Sequence, residues 1–150
     1  LGRSQMVFDS ASTKEFPTAV TLVASGSLVG EALKAADLLR EKNVGAIVIH
    51  ASAVNHPDIA TLGAALQKTG GRLVTVEEHR LTGGMGAMLV HALLNLHQNK
   101  GGSGNEPSLR VKSLGGGDHF GQSAYSALDL YKKDGLDAAG ITAAALGLGS

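Results

Sequence analysis

Residues 77–86 read EEHRLTGGMG. Glu77, Glu78 and His79 place two carboxylates and an imidazole in succession, the side chains most used to move protons. Gly83, Gly84 and Gly86 follow, and Met85, Met88, Leu89, Ala92, Leu93 and Leu96 then form a stripe at helical spacing. A Gly-rich turn entering a helix N-terminus can cradle an anion with backbone N–H groups. The stretch therefore offers proton transfer and anion binding, each with a plain structural alternative.

The proton-transfer option weakens on geometry. Adjacent residues at the end of a strand point to opposite faces of the sheet. Glu77 and Glu78 then do not converge on one substrate, and one of them is expected to cap a helix or pair with Arg72, Arg80 or Arg110. The glycine option weakens on pattern. Gly84-Met85-Gly86 is followed by Ala87, Met88 and Leu89, so the third glycine of a dinucleotide fingerprint is missing. Gly26 and Gly30 have the wrong spacing, and no G-x-x-x-x-G-K-[ST] occurs. A positive-φ turn with close packing at Gly83 and Gly84 is the better account.

Other chemistry-bearing residues are scattered. His91 and His97 lack the i, i+4 spacing that sets two metal ligands on one helix face, so no zinc site is assigned. Asp118-His119 in GGGDHFGQSA suits an Asx-type turn, and Ser123 suits an N-cap more than a nucleophile elbow. No catalytic residue, cofactor-binding residue or metal ligand is assigned.

The elements that position these residues alternate. TAVTLVAS (18–25), GAIVIHA (45–51), RLVTVEE (72–78) and LRVKSLG (109–115) are apolar strand candidates. Between them lie amphipathic helical stretches: 27–42, one opened by NHPD with Pro57 in its first turn, and one after the glycines. Two more follow, at about 122–133 and 137–147, the last a weak Ala- and Gly-rich terminal helix. Ser27 is read as an N-cap, with Glu31 complementing the same helix end. SQMVFD (4–9) offers one further strand. Buried strands alternating with helices predict a doubly wound, three-layer α/β/α domain on a mostly parallel sheet.

Composition fits that class. Lys plus Arg, 13, equals Asp plus Glu, 13, which gives no electrostatic footprint for nucleic acid. Aromatic residues make up only 3%, so base stacking has little to work with, and the core must be Ala, Val, Leu and Ile. There is no cysteine, no membrane-length apolar run and no signal-peptide h-region. A cytoplasmic protein is expected. The absence of a Met at position 1 suggests a piece of a longer chain or a chain from which a tag was removed.

In an open α/β sheet, ligands gather where the winding reverses. If strand 18–25 is central, that point lies between it and strand 72–78. The candidate anion site is therefore Ser25, Gly26, Ser27, His79, Gly83, Gly84 and Gly86.

Taken in series, the motifs resemble the C-terminal domain of transketolases, shared with deoxyxylulose-phosphate synthase and the pyruvate dehydrogenase beta subunit. The residues carrying the resemblance are VTLVASGSLVGEALKAADLL, Val76-Glu77-Glu78-His79 leading to Gly83-Gly84-Met85-Gly86, Phe120-Gly121-Gln122-Ser123, and Gly135-Leu136 with Ile141. It covers nearly the whole chain. It implies a five-stranded sheet with an antiparallel N-terminal edge strand, SQMVFD beside GAIVIHA. Residues 1–17 are then a link from a preceding domain with that edge strand, and 18–150 the domain proper.

The resemblance also implies a homodimeric, three-domain parent enzyme of the pentose phosphate type. That parent moves a two-carbon ketol unit between sugar phosphates with thiamine diphosphate and a divalent metal (Mg or Ca). In that family the N-terminal and middle, pyrimidine-binding, domains hold the cofactor and supply the catalytic groups, so none is carried onto this chain. Leu28, where many relatives have Glu, and the long polar KGGSGNEPS leave the family branch open. Two functions follow: a non-catalytic, packing or regulatory domain of such a transferase, or an independent anion- or nucleotide-binding module using the Gly-rich loops.

Overall fold

The computed structural model describes residues 4–13, 15–51, 56–79, 81–99, 106–116 and 127–149. Its strands are β1 (Gln5–Asp9), β2 (Thr18–Ala24), β3 (Val44–His50), β4 (Arg72–Glu77) and β5 (Arg110–Gly115). Its helices are α1 (Leu28–Glu41), α2 (Ile59–Lys68), α3 (Met85–Asn99), α4 (Ala127–Asp134) and α5 (Ala138–Leu146), with a short 3-10 turn at Ala11–Thr13.

The sheet runs β1-β3-β2-β4-β5. The pairs β2–β3, β2–β4 and β4–β5 are parallel. β1 alone is antiparallel, from Gln5 opposite His50 to Asp9 opposite Ile47, with an irregularity between Met6 and Phe8. This is the five-stranded, mostly parallel sheet with an antiparallel N-terminal edge strand that the sequence led us to expect.

Alternation along the strands builds two cores. Val20, Leu22 and Ala24 of β2 face α1 and α5, together with Val74, Val76, Leu28, Leu39 and Ile141. Val23 faces the other way, with Ile47, Ile49 and Leu73, against α2 and α3 through Leu62, Leu66, Met85 and Leu89. Leu22, Leu39, Ile47, Leu73 and Ile141 have no exposed surface. Each such side chain stabilises the fold by about 1.5–3 kcal/mol relative to exposure. Ala32, Ala35 and Ala36 bring α1 close to the sheet and α5, which substitutes for aromatic bulk.

Two local expectations are corrected. α2 begins after Pro57, not around it: Asp58 is the N-cap, and its carboxylate accepts from Thr61 N–H at 3.1 Å. Ser27 occupies the N-cap position of α1 but makes no side-chain cap, because its backbone (φ −67°, ψ −18°) is already helical. Glu31 stands in the first turn of α1 as expected and its Oε1 accepts from Lys34 at 3.0 Å, and it serves a second helix as well. It is buried, and its Oε2 accepts from Ala138 N–H at 2.9 Å, at the start of α5. The Ala- and Gly-rich tail is thereby held in place: Asp137 caps α5 through Gly140 N–H at 3.0 Å, and Ile141 and Ala145 enter the core. The 122–126 part of the expected penultimate helix lies outside the described residues. So do Asp118-His119 and Phe120-Gly121-Gln122-Ser123.

Candidate functional site

The chain leaves β2 through α1 to β3 on one side, then returns through α2 to β4 on the other. The winding reverses between β2 and β4, as expected. At their carboxyl ends lies a crevice of about 640 Å3. Ser25 and Gly26 border it from the turn after β2. Glu78, His79, Thr82, Gly83 and Gly84 border it from the turn after β4, and His50 and Ala51 form its third side, at the end of β3.

Of the candidate residues, Ser25, Gly26, His79, Gly83 and Gly84 line this crevice. Ser27 and Gly86 are not among its lining residues. His50, Glu78 and Thr82 also line it, and sequence reasoning did not select them. The signal for His50 was available, since it ends the strand next to β2 on the rim where ligands gather.

Glu77 and Glu78 diverge, as strand alternation requires. Glu77 turns inward and is 1% exposed. Its Oε2 accepts from Gly86 N–H at 2.8 Å, in the first turn of α3. Burial pushes its carboxyl above the ordinary value of 4.5, against the opposing pull of the Gly86 N–H, His79 and the Met85 N–H. Its Oε1, like Thr75 Oγ1 on the same sheet face, is buried with no hydrogen-bond partner among the described residues. Gly86 is seated so tightly here that a Cβ would lie 2.4 Å from Thr75 Oγ1 and 3.2 Å from Ser113 Oγ. Close packing is therefore the task of Gly86. Gly83, at φ +72°, supplies the turn.

Glu78 turns outward. Its Oε1 accepts from Ser27 Oγ at 2.5 Å and from the Tyr131 hydroxyl of α4, and Ser27 Oγ and Tyr131 OH are themselves 2.5 Å apart. The Ser27 and Tyr131 hydroxyls hold this carboxyl below its ordinary range, and Glu78 in turn raises the Tyr131 phenol. The expected arginine partners are elsewhere. Arg72 donates to Gly149 O at 2.8 Å and Arg110 to Leu148 O at 3.2 Å, both at the opposite end of the strands. Arg80 lies outside the described residues.

Chemically, the two adjacent carboxylates do not converge on the crevice. One carboxylate is buried as a helix cap, and the other is held by two hydroxyls. Among the described residues there is no group of three or more His, Asp or Glu that could hold a metal ion. The α3 N–H that would meet a diphosphate already meets Glu77. These residues do not fit thiamine diphosphate with its metal. A second groove, of about 820 Å3, lies between α2 and α3 and is lined mainly by apolar and small residues, including Gly63, Leu93, Leu94 and Leu109.

Comparison with known proteins places this architecture. The chain is 37% identical over 89 residues to one of the subunits of the apulose-4-phosphate transketolase of Phocaeicola vulgatus, covering 59% of this chain and 28% of that protein. It is 39% identical over 128 residues to a 1-deoxy-D-xylulose-5-phosphate synthase of Geobacter sulfurreducens, covering 83% of this chain and 18% of that protein. It is 29% identical over 122 residues to a putative transketolase C-terminal section of Methanocaldococcus jannaschii, covering 81% of this chain and 34% of that protein. Among solved structures, a split-gene transketolase, an inactive beta4 tetramer, superposes with a TM-score of 0.75 at 28% identity, over 98% of this chain and 42% of that one. The chain thus spans less than half the length of each of these relatives. Residues 11–141 match the family described as transketolase, C-terminal domain, and the chain belongs to that family.

Proposed function

We propose that this chain is the non-catalytic C-terminal domain of a transketolase-type thiamine diphosphate enzyme, and that it supports domain packing and dimer assembly. The observation that carries this reading is the family match over residues 11–141 in a chain that spans only 18% to 34% of three relatives. In this reading, two-carbon ketol transfer, the cofactor and its divalent metal belong to an N-terminal and a middle, pyrimidine-binding, domain. Those domains, or a separate polypeptide carrying them, are the partners, in a cytoplasmic homodimer. The relatives named as one subunit of an enzyme and as a C-terminal section support a division of labour of this kind.

Two structural features support a packing role. Glu77 and Glu78 are both engaged in holding elements together. The α2–α3 groove leaves Leu94 50% exposed beside Leu93 and Leu109, an apolar surface suited to another polypeptide. The test is a ketol-transfer assay of the 150-residue chain with thiamine diphosphate, Mg2+ and a pair of sugar phosphates. No turnover is expected. Turnover abolished by Glu78→Gln would overturn the proposal.

A further inference from the structure

The crevice between β2 and β4 has a chemistry that its glycine-rich border conceals. Several N–H groups beside its two rims are engaged within the chain. Gly86 N donates to Glu77 Oε2 at 2.8 Å, and Gly84 N to Leu81 O at 3.2 Å. On the other rim, Leu28 N donates to Ser25 O and Val29 N to Gly26 O, both at 3.3 Å. No lysine or arginine lines the crevice among the described residues.

A carboxylate stands there instead, and it is fixed. Ser27 comes from the β2–α1 turn and Tyr131 from α4, and both hydroxyls converge on Glu78 Oε1. Glu78 Oε2 makes no hydrogen bond among the described residues, and Glu78 lines the crevice. Holding a carboxylate by one oxygen from two separate elements removes the ordering cost that a mobile surface glutamate would meet on binding. The crevice is also lined by Ser25, His50 and Thr82, and by His79, whose charge favours the ionised form of Glu78. The Ser25 and Thr82 hydroxyls and a neutral His50 imidazole are of types that accept from N–H donors.

The geometry points to a receptor for an organic cation, a guanidinium or primary ammonium group, bound on Glu78 Oε2, and not to a phosphate site. Guanidinium suits it best, since its planar fork of donors reaches a carboxylate and neighbouring acceptors together. The inference does not rest on the packing role proposed above, and its failure would leave that role standing. The chemistry is shared by a free cation and by an arginine side chain on a polypeptide.

The test is 1H–15N NMR of the 150-residue chain titrated with argininamide, with the blocked peptide acetyl-Gly-Arg-Gly-amide, and with inorganic phosphate at matched ionic strength. Saturable shifts at His50, Glu78, His79 and Thr82 are expected with the arginine probes and not with phosphate. Glu78→Gln, confirmed folded by its spectrum, should weaken binding about fivefold, the weight of one partly exposed ion pair. The Ser27→Ala/Tyr131→Phe double variant, which keeps the charge but frees the carboxylate, should weaken it by a smaller factor. Tighter binding of the peptide assigns a polypeptide side chain, and equal binding a free cation. Saturable phosphate shifts, argininamide binding undiminished in Glu78→Gln, or no shift with any probe would each overturn the inference.

Discussion

Replacing Glu77 with Gln separates the charge of this side chain from its hydrogen bond. Glu77 is 1% exposed and accepts from Gly86 N–H at 2.8 Å. A hydrogen bond to a charged group contributes about 1.5–3 kcal/mol, while a buried carboxylate costs several kcal/mol in lost hydration. Burial has the larger effect, since the folded-state pKa lies above the ordinary 4.5. The linkage sign follows: a raised pKa means the folded state favours the protonated carboxyl. Its stabilising contribution is complete below about pH 4.5 and is lost as pH rises through the higher folded value. Gln keeps the volume and an acceptor oxygen for Gly86 N–H but carries no charge. The stability difference between Glu77→Gln and the wild type should therefore shift in favour of the variant as pH rises from 4.5 toward neutrality, then level off. Each unit separating the folded and unfolded pKa values adds about 1.4 kcal/mol to that difference. Glu77→Ala also removes the charge but orphans the Gly86 N–H, at a cost of about 1–3 kcal/mol at every pH. The assay is urea unfolding of the three proteins across pH 5 to 9. If Glu77→Gln loses more than about 1 kcal/mol at pH 8 and the difference is flat with pH, the reasoning is refuted.

Three further outcomes test the packing. Gly86→Ala should cost about 1–3 kcal/mol by overpacking against Thr75 Oγ1, and part of that loss should return in the Gly86→Ala/Thr75→Ala double variant, read as a double-mutant cycle in urea. Glu31→Ala leaves the Ala138 N–H without its acceptor, so α5 amides should lose hydrogen-exchange protection by about 1–3 kcal/mol while β2 and β3 keep theirs. Ile141→Ala removes a fully buried side chain of the terminal helix and should cost about 2–5 kcal/mol in thermal or urea unfolding, as a dispensable tail would not.

The architecture was legible because it rests on local pattern. Continuous apolar strands such as TAVTLVA, bounded by turns and separated by amphipathic helices, leave few topologies, and right-handed crossovers narrow them further. The divergence of Glu77 and Glu78 was legible for the same reason, since it is a property of any strand end. What local pattern does not carry is the partner far along the chain. Ser27 has the residue type of an N-cap, but its hydroxyl goes to Glu78 and Tyr131. Glu31 sits in the first turn of α1, yet its oxygen serves α5. Tyr131 gave no signal, because its role depends on α4 docking beside the end of β4. The site was therefore half legible: its place follows from topology, while its charge and its engaged N–H groups follow from contacts between distant segments.

The role proposed above is that of a domain of a thiamine enzyme that does not itself hold the cofactor. Isothermal titration of the 150-residue chain with thiamine diphosphate and Mg2+ tests it directly. No saturable heat is expected. Saturable binding in the micromolar range, lost on substitution of Glu78 or His79, would contradict it.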